Sequence, residues 1–405
     1  MKTKWLCAFA AVGILVSLCF IGGTAYAQKD TLKIGMVTDL TGFLNVNGVH
    51  IRQAALMALE DAEYTVAGKK IEFIVEDEAG SPAIAMDKAR KLVESDKVCA
   101  FLGPFHGGAV AALANYATKV QVPQIVTWYS IPGDQMLNMQ WTWVPIGSLE
   151  MIGVPSGAYA YDKMGFRTAT TLALDYVAGR LFMGGCTNTF EKKGGKIIQQ
   201  QWMPMDTKDT APYLTALKQA DVFMPWYAGI THNVGIRQIR EYGIKMPIIL
   251  PQAGYMAHPQ QIKEIGDYGV GFITSDAYVW TIDSPENRAF VEKYKKKYNM
   301  LPANVAYGGY FNMQILLQAL RKTGGDSSRD ALAKALDQTQ MKGFLGDFSF
   351  GDARLGVGNY FVHREIKKEG AEEPYQSEML AKYQVRPVKA GNKIDYQITK
   401  AEILK

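Results

Sequence analysis

The chain has 405 residues, is 48% hydrophobic and 20% charged, and carries a formal charge of +5. That length allows two domains, and that composition belongs to a globular chain. The mild charge gives no reason to invoke nucleic acid or an acidic surface as partner.

In chain order, Met1-Lys2-Thr3-Lys4 is a basic start, "WLCAFAAVGILVSLCFIGG" is apolar, and "AYA" at 25–27 fits a small-x-small cleavage pattern. Residues 1–27 read as a signal peptide cut after Ala27, which implies export to the periplasm. The alternative is an anchor of about 19 apolar residues, but the cleavage pattern follows the apolar run at once. Leu18 before Cys19 argues against a lipoprotein site. The mature chain keeps Cys99 and Cys186, which read as two separate free thiols.

"TLKIGMVTDL" (31–40) reads as a buried strand and Arg52 to Asp61 as a helix. "KKIEFIVEDE" is a strand. "SPAIAMDKARKLVESD" is a helix with a cap at Ser81 and Pro82 at its first position. "VCAFLG", a helix over 109–119 and "VPQIVTW" complete a first unit. After "WTWVPIG" (141–147) the pattern restarts with "TATTLALD", "KIIQQQWMP", "VFMPW", "MPIILP" and "GVGFITSDAY" as strands. The stretches "SPENRAFVEKYKKKYN" and "VAYGGYFNMQILLQALRKTGG" are helical, and "FLGDFSFGDARLG" is a turn-rich, strand-like closing segment. Alternation of strand and helix predicts α/β architecture, with parallel sheets flanked by helices.

Ligands of such sheets sit beyond the C-terminal strand ends. The relevant loops are 38–47, 104–108, 127–131, 175–179, 226–229, 252–255 and 276–280. They hold Phe43, Phe105, Trp128, Tyr129, Tyr176, Trp226, Tyr227, Tyr255, Tyr278 and Trp280. Their concentration at strand ends predicts an aromatic-lined pocket, against the plainer reading of core packing. Trp226 and Tyr227 are not separable into pocket and core on sequence alone. His106 is the one histidine placed at a strand end and a helix mouth. No nucleophile–base pair, phosphate loop, cofactor motif or metal-ligand spacing is present, and "GVPSG" (153–157) has its serine one place late for a nucleophile elbow. An enzyme is therefore not expected, nor a cofactor or metal.

Four stretches resemble the periplasmic branched-chain amino-acid binding proteins, the type I solute-binding proteins of ATP-driven (ABC) uptake systems. They are "IGMVTDLTGFLNVNGVHIRQAALMALED", "VEDEAGSPAIAMDKARKLVESDKVCAFLGPFHGGA", "VPQIVTWYSIP" and "SPENRAFVEKYKKKYNMLPANVAYGGYFNMQILLQAL". The resemblance implies two α/β lobes joined by three crossover strands, here near 142–146, 276–280 and 344–347. It divides the chain into 28–144 plus 279–345 as the N-terminal lobe and 145–278 plus 346–405 as the C-terminal lobe. Ligand binds between the lobes and closes them by a hinge, and a membrane permease recognises the closed monomer.

Transfer of the family's ligand-binding positions is informative where it fails. The serine that holds the ligand carboxylate becomes Gly107, which keeps the backbone N–H beside His106. Ser130 stands where a threonine is usual, and Asn47 replaces the first-loop tyrosine. Ala178 replaces a second-lobe tyrosine. The acid that pairs with a ligand ammonium belongs in the loop after "PIILP", which reads Gln252-Ala253-Gly254-Tyr255. The candidate ligand-binding residues are Phe43, Asn47, Phe105, His106, Gly107, Tyr129, Ser130, Tyr176, Trp226, Tyr227, Tyr255 and Tyr278. Backbone donors at 107–109, Ser130 and a protonated His106 suit an anion. The preferred ligand is a small carboxylate with an aromatic or apolar body. Two alternatives are a neutral or branched-chain amino acid whose ammonium is taken by Asp276 or Asp175, and a module that informs a sensor or chemoreceptor.

Overall fold

In a computed structural model, residues 31–42, 44–128, 131–343 and 345–405 are described. The expected signal peptide, Phe43, Tyr129, Ser130, Phe344 and the side chain of Tyr255 lie outside them.

The first sheet begins with β1 (Thr31–Thr38), whose apolar run is almost wholly buried. It continues through α1 (Asn45–Asp61), β2 (Thr65–Val66), β3 (Lys69–Asp77) and α2 (Pro82–Arg90). Ser81 caps α2 by accepting from the Ile84 N–H, and Pro82 opens it with φ already set for a helix. Then come β4 (Ala100–Leu102), α3 (Gly107–Val120), β5 (Gln124–Ile125), α4 (Gly133–Met136) and β6 (Thr142–Trp143). The strand order is β2-β3-β1-β4-β5-β6, parallel except for β2. "VPQIVTW" is thus a two-residue strand followed by an irregular loop.

The second unit runs α5 (Leu149–Asp162), β7 (Thr168–Leu174), α6 (Val177–Lys192), β8 (Lys196–Met203), α7 (Ala211–Thr215), β9 (Val222–Trp226), α8 (Ile230–Glu241), β10 (Ile249–Leu250), α9 (Pro259–Ile265) and β11 (Ile273–Asp276). The order β8-β7-β9 is parallel, and a Phe223–Ile248 bridge links β9 to the start of β10. The "GVPSG" segment falls inside α5. A Cβ on Gly153 or Gly157 would meet the Phe182 or Cys186 carbonyl of α6 at 2.2 or 2.1 Å. These glycines let two helices touch, and Ser156 donates to the Leu250 carbonyl at 2.8 Å. Packing therefore explains this segment.

The chain returns to the first unit with α10 (Pro285–Tyr298), capped by Ser284, and α11 (Asn304–Lys322), which packs along α1. α12 (Arg329–Asp337), β12 (Gln340–Gly343) and β13 (Gly346–Phe350) lead into β14 (Gly356–Lys367), antiparallel to β11. The expected closing segment is followed by a long antiparallel hairpin, β15 (Tyr375–Ala390) and β16 (Lys393–Ile403). The hairpin tip reaches back to α4, where Ile394 N–H donates to Asp134 at 2.5 Å. Tyr396 shares a 2.8 Å hydrogen bond with Ser148.

The fold is α/β and two-lobed, with each parallel sheet flanked by helices. Among the described residues, Cys99 and Cys186 are free; Cys99 precedes β4 and Cys186 is buried in α6 against Met224. Among the described residues, no helix is long and apolar enough to cross a membrane, and no cluster could hold a metal ion.

Candidate functional site

Strand ends from both sheets carry the candidate residues. On the first sheet, Asp39 is buried and its carboxylate accepts from the Gly42 and Leu44 N–H groups at 2.6 and 2.9 Å. That ties down the loop leading to Asn47, which is half-buried in the first turn of α1.

The "GPFHGG" loop is held from below by Glu78, fully buried one residue past β3. Its Oε1 accepts from the Phe105 N–H at 3.2 Å and the His106 N–H at 2.9 Å. Its Oε2 is buried with no hydrogen-bond partner. Burial pushes the Glu78 carboxyl up to about 7, with Asp39 and Asp77 adding to the rise and the two N–H donors opposing it.

His106 is the N-cap of α3. Its Nδ1 accepts from the Gly108 N–H at 3.1 Å, and its carbonyl accepts from Ala109. Nδ1 is thus engaged within the cap and is not offered from that side to an anion in this structure. Two of the three expected backbone anion donors are likewise committed to the cap. Gly107 stands exposed at the helix mouth. Phe105 is fully buried and belongs to the core with Leu102 and Val110.

On the second sheet, Tyr176 precedes α6 with its ring 5.7 Å from that of Trp226, which also packs on Phe182 at 5.2 Å. Trp226 Nε1 donates to Gln252 Oε1 at 3.3 Å. Gln252 Nε2 donates to Asp276 Oδ2 at 2.8 Å, and Asn304 of α11 donates to the same oxygen at 3.2 Å. Ala277 N–H donates to Oδ1 at 2.7 Å. A buried string thus runs Trp226–Gln252–Asp276–Asn304 from one unit to the other. Burial raises the Asp276 carboxyl to about 6.

Trp226 and Tyr227 separate here. The Tyr227 ring lies against α8, where a Cβ on Gly235 would come within 2.8 Å of it. Tyr278 is buried at the end of β11, stacked on Tyr307 at 5.6 Å. Asp175 pairs with Arg180 at 2.6 Å on an exposed edge. The backbone of Tyr255 lies in a 3₁₀ turn, Gly254–Ala257. Sequence reasoning missed Glu78, Asn304, His50 and His258. The histidines were dismissed as scattered, and His50 of α1 meets His258 before α9 at a ring separation of 5.2 Å.

Compared with known proteins, residues 31–371 match the family described as "Periplasmic binding protein". The chain belongs to that family. The matched region stops before β15, so the β15–β16 hairpin lies outside it. The chain is 22% identical over 378 residues to Leu/Ile/Val-binding protein homolog 6 of Brucella abortus, covering 91% of this chain and 94% of that one. An ABC transporter substrate-binding protein from Sphaerobacter thermophilus is 26% identical, with TM-score 0.83 and coverage of 88% and 98%. A solute-binding protein from Rhodopseudomonas palustris BisB5, solved with 3,4-dihydroxybenzoic acid, is 26% identical, with TM-score 0.78 and coverage of 87% and 97%.

In this periplasmic binding protein, Trp128 Nε1, Tyr227 Oη and both His258 ring nitrogens join Glu78 Oε2 as buried polar atoms without hydrogen-bond partners. Such atoms are costly in a core, at about 1–3 kcal/mol each. Glu78, Trp128 and Tyr227 lie one residue past strand C-terminal ends or in the loop after β5, the places where open α/β sheets hold ligands, whereas other such atoms, Thr118 of α3 and Gln318 of α11 among them, lie in helices.

Proposed function

We propose that the protein is the solute-receiving component of an ABC uptake transporter and that its solute is a small carboxylic acid with an aromatic or apolar body. The observation that carries this reading is the string around Asp276. Gln252 stands in the loop where an ammonium-binding acid would be placed. The nearest buried acid, Asp276, already receives Gln252, Asn304 and the Ala277 N–H. Asp175 is paired with Arg180. Glu78 is spent on the 105–106 backbone, and its raised pKa makes it a poor counter-charge.

The size of the effect decides between solutes. A buried ammonium without its charged partner loses about 3–5 kcal/mol. Micromolar binding is worth about 8 kcal/mol in all, and each 1.4 kcal/mol is a factor of about ten. A carboxylate with an apolar ring has no such debt, and Tyr176 and Trp226 offer it aromatic surface. The relative solved with 3,4-dihydroxybenzoic acid supports the same class. The Leu/Ile/Val-binding relative keeps a neutral amino acid as the second reading.

The test is a thermal-shift series on the mature chain with benzoate, 3,4-dihydroxybenzoate, leucine and valine. A ligand at a hundred times its Kd stabilises by about 2.7 kcal/mol. Stabilisation by the benzoates alone is expected. Stabilisation by leucine or valine, with none from the benzoates, overturns the reading.

A further inference from the structure

His50 lies in α1, which follows the first strand of the first sheet. His258 lies between β10 and β11 of the second. Their rings meet edge to face with centroids 5.2 Å apart, and each residue is only 5% exposed. The contact therefore joins the two lobes directly, on the cleft side of both, and it exists only while the lobes are together.

The surroundings define the protonation of the pair. The Tyr294 hydroxyl of α10 donates to Gln53 Oε1 at 2.6 Å. Towards His50 Nδ1, also at 2.6 Å, it can then only accept. His50 Nδ1 thus carries the proton and its Nε2 is a lone pair. Both ring nitrogens of His258 are buried with no hydrogen-bond partner.

We propose that His50 and His258 form a proton-sensitive latch, which holds the lobes closed while both rings are neutral and releases them when either is protonated.

Burial pushes both rings far below the usual range, His50 to about 3 with His258 adding to the fall, and His258 to about 4. The other titratable neighbours do not offset this. Tyr294 and Tyr298 of α10 are themselves pushed up by burial and stay neutral. Several charged groups on the packed elements are bound to one another: Lys293 to Asp61, Lys297 to Glu60, Lys295 to Glu372 and Lys263 to Glu373. The others are Arg52 of α1, Glu286, Arg288, Glu292 and Lys296 of α10, and Glu264 of α9; Arg288 pairs with Asp283 and Glu264 receives Asn233.

Opening takes from each imidazole the cover of the other, fully for His258 and in part for His50, which keeps its Tyr294 contact, and so moves each pKa up towards the ordinary value of about 6.5. A proton therefore binds the open form better and draws the equilibrium towards it. Between pH 7.5 and 5.5 a fully released His258 lowers the closed-to-open ratio by about tenfold, and His50 adds to this in the same direction. The effect does not depend on which solute is bound, so it stands apart from the proposed ligand class.

The test uses the mature chain without ligand. Small-angle X-ray scattering at pH 7.5 and 5.5 reads the radius of gyration, and far-UV circular dichroism reads folding. The wild type should expand at pH 5.5 with its dichroism unchanged. His258→Gln should respond less, and the H50Q/H258Q variant should not respond. A wild type of constant size overturns the proposal, as does expansion accompanied by loss of dichroism. If the double variant does not fold, His258→Gln decides alone, and a response equal to that of the wild type overturns the latch.

Discussion

Gln252 Nε2 donates to the Asp276 carboxylate at 2.8 Å, with both side chains buried where the two sheets approach one another. The amide serves two masters, since its oxygen also receives the Trp226 indole. Gln252→Glu would turn the donor into a second carboxylate facing Asp276. Relative to wild type, the variant should lose about 1–3 kcal/mol at pH 8. The difference should shrink at pH 5, where a shared proton restores the hydrogen bond. Urea unfolding at the two pH values checks this.

Glu78 gives a prediction with a defined sign. Its folded pKa is raised from 4.5 to about 7, so the folded state holds a proton that the unfolded state has released between those values. Stability from this group is therefore full below about 4.5 and is lost as pH rises to about 7. Glu78→Gln keeps an oxygen for the Phe105 and His106 N–H groups and cannot ionise. Its stability relative to wild type should climb by about 3 kcal/mol from pH 4.5 to 7.5. A flat difference in urea midpoints across that range would refute it.

His106 caps α3 through its Nδ1. His106→Ala should cost about 0.5–2 kcal/mol, and His106→Asn should recover most of it, because Asn is among the best capping residues. Chemical denaturation of the three proteins at pH 7.5 measures both steps. Equal losses in the two variants would show that the ring does something other than capping.

How much of this was legible beforehand follows from how local each cause is. The caps at Ser81 and Ser284 lie next to their prolines, and both helices start where the sequence predicts. The strand-end loops were placed by alternation of elements alone. For "GVPSG" the sequence excludes a nucleophile elbow and says nothing of what the glycines are for, since Gly153 and Gly157 serve a contact with α6, a partner remote in sequence. His106 was read as a cation because residue type suggests charge. Only coordinates reveal that Nδ1 is occupied by Gly108. His50 and His258 belong to different units, and no spacing rule links them.

The β15–β16 hairpin gives a fourth prediction. A Cβ on Gly133 would sit 2.2 Å from the Tyr396 hydroxyl oxygen. Gly133→Ala should destabilise the wild type by about 1–3 kcal/mol through overpacking. In a Tyr396→Phe background, which lacks that oxygen, the same change should cost much less. A double-mutant cycle by thermal unfolding measures the coupling. Additive losses would show that the tip does not press on α4.

Cys99 and Cys186 carry a consequence for the chain's chemistry after folding. Burial pushes the Cys99 thiol up to about 11 and the Cys186 thiol up to about 12. Oxidation and disulfide exchange proceed through the thiolate, of which Cys99 holds about one part in ten thousand at neutral pH. The periplasm is an oxidising compartment. Among the described residues, folding therefore leaves Cys99 and Cys186 as two separate thiols that react slowly there and are joined by no disulfide.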